Sequence, residues 1–507
     1  MRKLLILVSI CIAVGTLWAC KDDASSGMPD NNAAAFVIKN TTPISTNFIG
    51  NGAQWGGYDI IEEWTGSNDF NDADWAKMKK RIDFMRPPFI RIMIDANWNY
   101  TTNGEYTPEK STAAFHNMLQ YCTDNNITVM FGEWGHQFID GDRNNIDEQW
   151  LDRSIQFLDM LINERGYTCI KHYNMVNEPN GDWSSTNSDY NLWKTVAQKY
   201  HAKLVESGLI NKVQLAGPDI AVFSDANATN WITRTAADFG DDMGMYEIHT
   251  YPTKSVVNGS GYMSVLEAYR KAAPAEKQIV MGEIGLKYYD ADADLQDENQ
   301  SRIDADKYAS DDSNMFIYDG FYGVDVSDAI IQTMMAGFSG ALVWDMDDAM
   351  YNQPEGNNSK KLKRWGFWNI LGEEAFESAE DEELRPFYFP VSLLCRYFPA
   401  ESNIYEVELP NRKGVRAVVA EKGGEYTMAI VNSHVVSYPD INIEAEVSFD
   451  FSGVNKFEYI SKSDGSFEGE TDAEGFPIPC EENINIDFSN YNINVAAQSV
   501  IILTNMQ

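Results

Sequence analysis

The sequence is poor in positive charge: 39 Lys and Arg stand against 76 Asp and Glu among 507 residues, a formal net charge of −37. So acidic a chain repels phosphate backbones, which excludes nucleic acid as a partner, and it disfavours polyanionic substrates unless a local basic pocket overrides the field. Cysteine is scarce as well. After Cys11 and Cys20 only Cys122, Cys169, Cys395 and Cys480 remain, far apart and without paired spacing, which argues against both a disulfide framework and a metal cage. No Gly-x-Gly-x-x-Gly turn, phosphate loop, Gly-x-Ser-x-Gly elbow or His/Asp ligand cluster is present, so dinucleotide binding, esterase and metal-dependent deacetylase chemistry all lack their residues. No cofactor and no metal is expected. The acids of Asp290 to Asp312 match no calcium-loop spacing and read as a solvated loop.

What the chain does have is aromatic: 13 Trp, 25 Tyr and 25 Phe are enough to fill a core and still offer flat rings to the apolar faces of sugars. Eight short apolar runs follow one another, at Asn47 to Gly50, Phe89 to Ile94, Thr128 to Glu133, Tyr173 to Asn177, Val213 to Gly217, Tyr246 to Thr250, Ile279 to Glu283 and Ala341 to Asp345. Helical stretches separate them: Trp75, Met78, Ile82 and Met85, then Leu151, Ile155, Leu158 and Leu161, recur at three- and four-residue steps. Eight strands alternating with helices predict an α/β fold, a (β/α)8 TIM barrel over residues 45–400. Beyond a last helix, Pro386 to Phe398, alternating runs at Val415 to Ala420, Tyr426 to Val431, Ile441 to Phe451, Phe457 to Ser461 and Ala497 to Leu503 predict an antiparallel β-sandwich over 401–507.

The chemistry is carried by strand ends. The fourth run closes on Asn177-Glu178-Pro179 and the seventh on Gly282-Glu283, so two carboxylates stand at the C-terminal mouth, three strands apart around a ring. Cleaving an acetal needs one acid to protonate the leaving oxygen and one carboxylate to attack the anomeric carbon or activate water, and a pair is the minimum apparatus.

This pairing resembles the clan of retaining (β/α)8 glycosidases that includes glycoside hydrolase families 5, 30 and 39. The resemblance implies that Glu178 is the acid/base, that Glu283 is the nucleophile, and that Asn177 bonds the sugar 2-hydroxyl. His249-Thr250-Tyr251 is similar to the clan's His-x-Tyr, whose tyrosine donates to the nucleophile. Arg91 matches an arginine that steadies it, and Trp344 the platform under the sugar. Trp134 and His136, after the third strand, would line the cleft, although that strand lacks the paired histidines common in family 5. The implied activity is hydrolysis of a β-linked polysaccharide or oligosaccharide, a β-glucan, mannan or similar. A catalytically weak surface glycan-binding lipoprotein and a transglycosylase using the same pair are the alternatives.

At the N-terminus, Arg2 and Lys3 precede the apolar run Leu4 to Leu17, too short to span a membrane comfortably, so residues 1–19 read as an export signal. The residues before Cys20 resemble a lipobox, which implies lipidation of Cys20 and a membrane partner through that lipid. The polar stretch that follows, within residues 20–44, reads as a tether. Its Lys21-Asp22-Asp23 start is similar to the signal that sends Bacteroidota lipoproteins to the outer face of the outer membrane.

Overall fold

The computed structural model describes residues 35–56, 70–135, 146–223, 225–348, 351–352 and 361–507; the signal segment, Cys20 and His136 lie outside them. Eight parallel strands close into a barrel: β1 (Gly52–Gln54), β2 (Phe89–Ile94), β3 (Thr128–Glu133), β4 (Ile170–Asn174), β5 (Gln214–Val222), β6 (Met243–Thr250), β7 (Gln278–Ile284) and β8 (Ala341–Val343). Each is followed by the helix of the same number: α1 (Asp72–Met85), α2 (Ala113–Asp124), α3 (Glu148–Asp159), α4 (Tyr190–Ser207), α5 (Asn230–Phe239), α6 (Gly261–Ala272), α7 (Gly320–Met335) and α8 (Tyr388–Arg396). This is the TIM barrel that the eight apolar runs predict.

Local chemistry sets these elements. The Asn71 side chain accepts from the Ala73 and Asp74 amides while Asp74 accepts from the Asn71 amide, a capping box that starts α1 with Met78, Ile82 and Met85 turned into the core. Along the strands alternate residues share a face. Phe89, Met130, Ala216, Met245, Val280 and Leu342 form a buried apolar plug inside the barrel. Two residues further along their strands, Arg91 and Glu247 turn the same interior polar, and Gly282 leaves the room that Glu247 occupies. β1 can lie so close to β2 because residue 52 is glycine: a Cβ there would sit 1.7 Å from the Phe89 carbonyl oxygen.

The first strand is displaced from its expected place. Asn47 to Gly50 lead into the barrel, with the Ile49 amide bonded to the Ser339 carbonyl at 2.7 Å, and the strand itself is the three small and polar residues Gly52–Gln54, which carry no apolar signal. The fourth strand ends at Asn174, so Glu178 lies in the turn beyond it. Within the acidic segment 290–312, expected as a loop, Ala293–Ala305 form a helix with Ile303 as its buried residue.

The C-terminal domain is built from β9 (Asn403–Glu408), β10 (Val415–Lys422), β11 (Glu425–Asn432), β12 (Tyr438–Ala445), β13 (Val454–Ser461), β14 (Asn492–Val495) and β15 (Ser499–Thr504). The strand Ala35–Ile38 joins it, antiparallel to β9 and parallel to β12, in the order β13-β15-β11-β10-β9-Ala35–Ile38-β12-β14. Residues 35–38 are therefore sheet and not tether: Phe36 and Ile38 are fully buried in the core with Ile430, Ile443 and Ile501. The domain is fastened to the outside of the barrel, where Arg416 of β10 pairs with buried Asp328 of α7 at 3.2 Å and donates to the Val257 carbonyl. Among the described residues no helix is long and apolar enough to cross a membrane.

Candidate active site

Arg91 lies at the centre of the polar layer. It is fully buried, donating through Nη1 to Glu283 Oε1 and, at 2.6 Å, to Gln54 Oε1. Nη2 donates to Asn177 Oδ1 at 2.9 Å and to Asp219 Oδ2 at 3.1 Å, and Nε lies 3.7 Å from Glu247 Oε1. Burial works against its charge, but Asp219, Glu283 and Glu247 outweigh that and hold its pKa above the ordinary value.

Glu283 is gripped from its other side by Tyr251, whose hydroxyl donates to Oε2 at 2.5 Å. Burial and the Glu283 charge raise the Tyr251 pKa well above normal, so it stays a donor. Glu178 has a left-handed backbone at φ 47°, a conformation costing about 1–2 kcal/mol outside glycine, and precedes Pro179, whose ring disfavours the right-handed helical alternative. Its Oε2 accepts from the Trp183 indole at 2.9 Å, and its Oε1 lies 3.2 Å from His249 Nδ1. Glu178, His249 and Glu283 each offer an oxygen or nitrogen within 4.8 Å of the others. Such a trio, like Asp219, Glu247 and His249, is dense enough in ligand atoms to face a cation, but Arg91 already supplies positive charge there.

On the wall towards β8, Trp344 is nearly buried and packs against Trp365 with centroids 5.5 Å apart, and Trp365 packs edge-on against Tyr251 at 5.5 Å. Asp312, from the acidic segment, takes the Trp365 indole on its carbonyl and Lys287 and Lys363 on its carboxylate, at 3.0 and 3.1 Å.

Of the residues the sequence singles out, Arg91, Asn177, His249, Tyr251 and Trp344 gather around Glu178 and Glu283. Trp134 stands at the end of β3, half-buried, its indole N–H without a hydrogen-bond partner among the described residues. Sequence reading missed Asp219, Glu247, Gln54, Trp183 and Trp365. Glu247 was accessible in principle, because it alternates with His249 on a strand whose inward face is otherwise apolar. Gln54 sits on the strand whose register was displaced.

A parallel barrel with a carboxylate pair at one mouth, one of them clamped by arginine and tyrosine, defines a glycosidase. The family is shown by sequence: a model described as Cellulase (glycosyl hydrolase family 5) matches residues 39–319, more than half of the chain, and the chain belongs to that family. No curated protein sequence matches the chain. Among solved structures, it is similar to a glycoside hydrolase family 30 subfamily 8 xylanase from Clostridium acetobutylicum, at 11% identity and TM-score 0.59, covering 93% of this chain and 99% of that one. An endo-β1,6-glucanase, BT3312, matches at 12% identity and TM-score 0.57, covering 93% of each chain. A family 39 β-xylosidase from Caulobacter crescentus matches at 12% and 0.55, covering 93% and 99%. These likenesses extend over barrel and sandwich alike and speak to the fold.

Proposed function

We propose that the protein hydrolyses a β-linked neutral polysaccharide or oligosaccharide with retention, by double displacement. Glu283 attacks the anomeric carbon while Glu178 gives its proton to the departing oxygen; Glu178 then takes a proton from the water that releases the sugar from Glu283. The observation that carries this is the approach of the two carboxylates to within 4.8 Å. Retaining pairs stand about 5 Å apart, whereas inverting pairs need roughly 6.5–9.5 Å to admit a water. Arg91 and Tyr251 support Glu283 as the nucleophile, since both donate to it and neither to Glu178. The xylanase, β1,6-glucanase and β-xylosidase named above support β-linked substrates, and β-glucans, mannans and xylans are the polymers to screen. Proton NMR of the first-formed product is expected to show the β anomer; an α product would reject retention. For Glu178→Ala, activated aryl glycosides should lose less activity than natural glycans, because a good leaving group needs no proton.

We further propose that Cys20 is lipidated and anchors the enzyme to the outer membrane, facing outward. Cys20→Ala is expected to release the protein from the membrane fraction, and retention there would contradict the anchor.

A further inference from the structure

His249 is sandwiched between two irregularities of the barrel wall. On β5 the pairing with β6 slips between Pro218 and Ile220, leaving Asp219 as an extra residue; on β7 it slips between Met281 and Glu283, leaving Gly282. Bulges re-aim side chains, and these two lie on the two neighbours of the same stretch of β6. Asp219 has a left-handed backbone at φ 59°, the second non-glycine residue here, with Glu178, to bear that cost. The outcome is one arrangement: Asp219 Oδ1 lies 2.5 Å from His249 Nε2, while Nδ1 on the opposite edge of the ring faces Glu178 Oε1 at 3.2 Å and Glu283 Oε1 at 3.7 Å. Nε2 makes no aligned hydrogen bond there, and it also sits 3.6 Å from Glu247 Oε1.

We propose that Asp219 is a positioning residue that keeps His249 as an imidazolium shared by the two catalytic glutamates, so that one fixed cation serves whichever of them is anionic. The inference rests on the double-displacement reading. In the first step Glu283 spends its negative charge in forming the ester to the anomeric carbon, the bond to the leaving oxygen breaks, and the proton lost from Glu178 leaves it anionic. In the second, water attacks the anomeric carbon, its proton returns to Glu178, and the ester bond breaks back to the Glu283 carboxylate. Negative charge moves from one side of Nδ1 to the other and back, while His249 exchanges no proton.

Two cations face this cluster, Arg91 and the His249 imidazolium, against the carboxyl groups of Asp219, Glu283, Glu178 and Glu247. Burial opposes charge on His249, but Asp219 and Glu283 raise its pKa well above the ordinary value. Burial and the nearby Asp219 charge push Glu247 upward, which keeps it neutral.

The test is ¹⁵N NMR of histidine-labelled full-length protein, with His249 assigned by the signal lost in His249→Asn. Both ring nitrogens are expected to stay protonated from pH 5 to 8 in the parent and to titrate within that range in Asp219→Asn. A neutral ring in the parent at pH 7 would overturn the proposal without any variant. In turnover, Asp219→Asn removes the Asp219 anion and with it the charge on His249. The cation is lost from 3.2 and 3.7 Å beside the two glutamates and the anion from behind the ring, so the nearer loss dominates and favours the protonated form of each glutamate. Both limbs of the pH–rate profile should move up. A uniform loss at all pH values, with the limbs in place, would reduce Asp219 to a structural role. The NMR arm needs no turnover, so a charged ring in a protein that cleaves no β-glycoside would reject the hydrolase reading and leave the ion pair standing.

Discussion

Two glutamates close two strands of the same barrel and meet opposite fates. Glu133 ends β3 and Glu283 nearly ends β7, and both are buried and both accept from tyrosine hydroxyls. On β3 strict alternation holds: Met130 and Gly132 face the barrel interior, so Glu133 faces the helices, where Tyr100, Ser154 and Tyr173 donate to one oxygen at 2.8, 2.9 and 2.7 Å. On β7 the same alternation, Val280 then Gly282, would send Glu283 outward too, but the bulge adds a residue and returns it to the mouth beside Arg91. Gly282 is what permits this, because a Cβ there would lie 2.0 Å from Glu247 Oε1. A carboxylate at the end of a barrel strand is thus chemical or structural according to strand parity, and one inserted glycine decides it.

The sharpest way to break that comparison is to make the same change at both. Glu283→Gln is expected to lower kcat/KM on the order of 10⁴-fold or more, through loss of the nucleophile, while Glu133→Gln leaves it within about twofold at pH 5. Comparable losses at the two would refute the parity account. Next in size is the cation. Arg91→Met leaves the buried carboxylates Asp219 and Glu283 with His249 alone to face them, a loss of about 3–5 kcal/mol in urea unfolding, against about 1 kcal/mol for Tyr173→Phe beside Glu133.

Burial pushes the Glu133 carboxyl from 4.5 up to about 7, and among the described residues no cation pairs with it. The folded form then holds the proton more tightly than the unfolded chain, so stability is highest below pH 4.5 and is lost as pH rises towards 7. The difference is about 3 kcal/mol at most. Glu133→Gln mimics the protonated acid and should remove this slope, so the variant melts higher than the parent at pH 8 and close to it at pH 4.5. A slope unchanged in the variant would mean that other groups carry it.

Parity also explains what could be read from the sequence. Phe89, Arg91 and Met93 alternate regularly, and so do Met245, Glu247 and His249, so period two agrees with the inward placement of Arg91 and His249, which the resemblance to the clan had singled out. Glu178 and Glu283 were found by their neighbours, Asn-Glu-Pro and Gly-Glu, with no knowledge of the bulge. Asp219 was invisible, because an inserted residue breaks the period that would have revealed it. Gly52–Gln54 lacks apolar residues, and its burial comes from its neighbours. Ala35–Ile38 has a readable apolar run, but its partner strand β12 lies some 400 residues away, and pairing over such a distance leaves no local trace. Ala293–Ala305 has almost no apolar face and is a helix regardless.

The smallest expected effect contrasts two tyrosines that each donate to a buried glutamate. Tyr251 holds Glu283 Oε2 at 2.5 Å at the mouth, and Tyr173 holds Glu133 Oε1 at 2.7 Å behind the wall. Removing a hydroxyl bonded to a charged group costs about 1.5–3 kcal/mol, and to a neutral one about 1 kcal/mol. In Tyr251→Phe the carboxylate loses the group that orients it for attack, so kcat should fall about tenfold with KM nearly unchanged. In Tyr173→Phe, Tyr100 and Ser154 still donate to Glu133, so kcat should hold and only stability should drop. A fall in kcat for Tyr173→Phe matching that of Tyr251→Phe would show that the helix-side layer shapes the mouth, and that the two glutamates are not separated by parity alone.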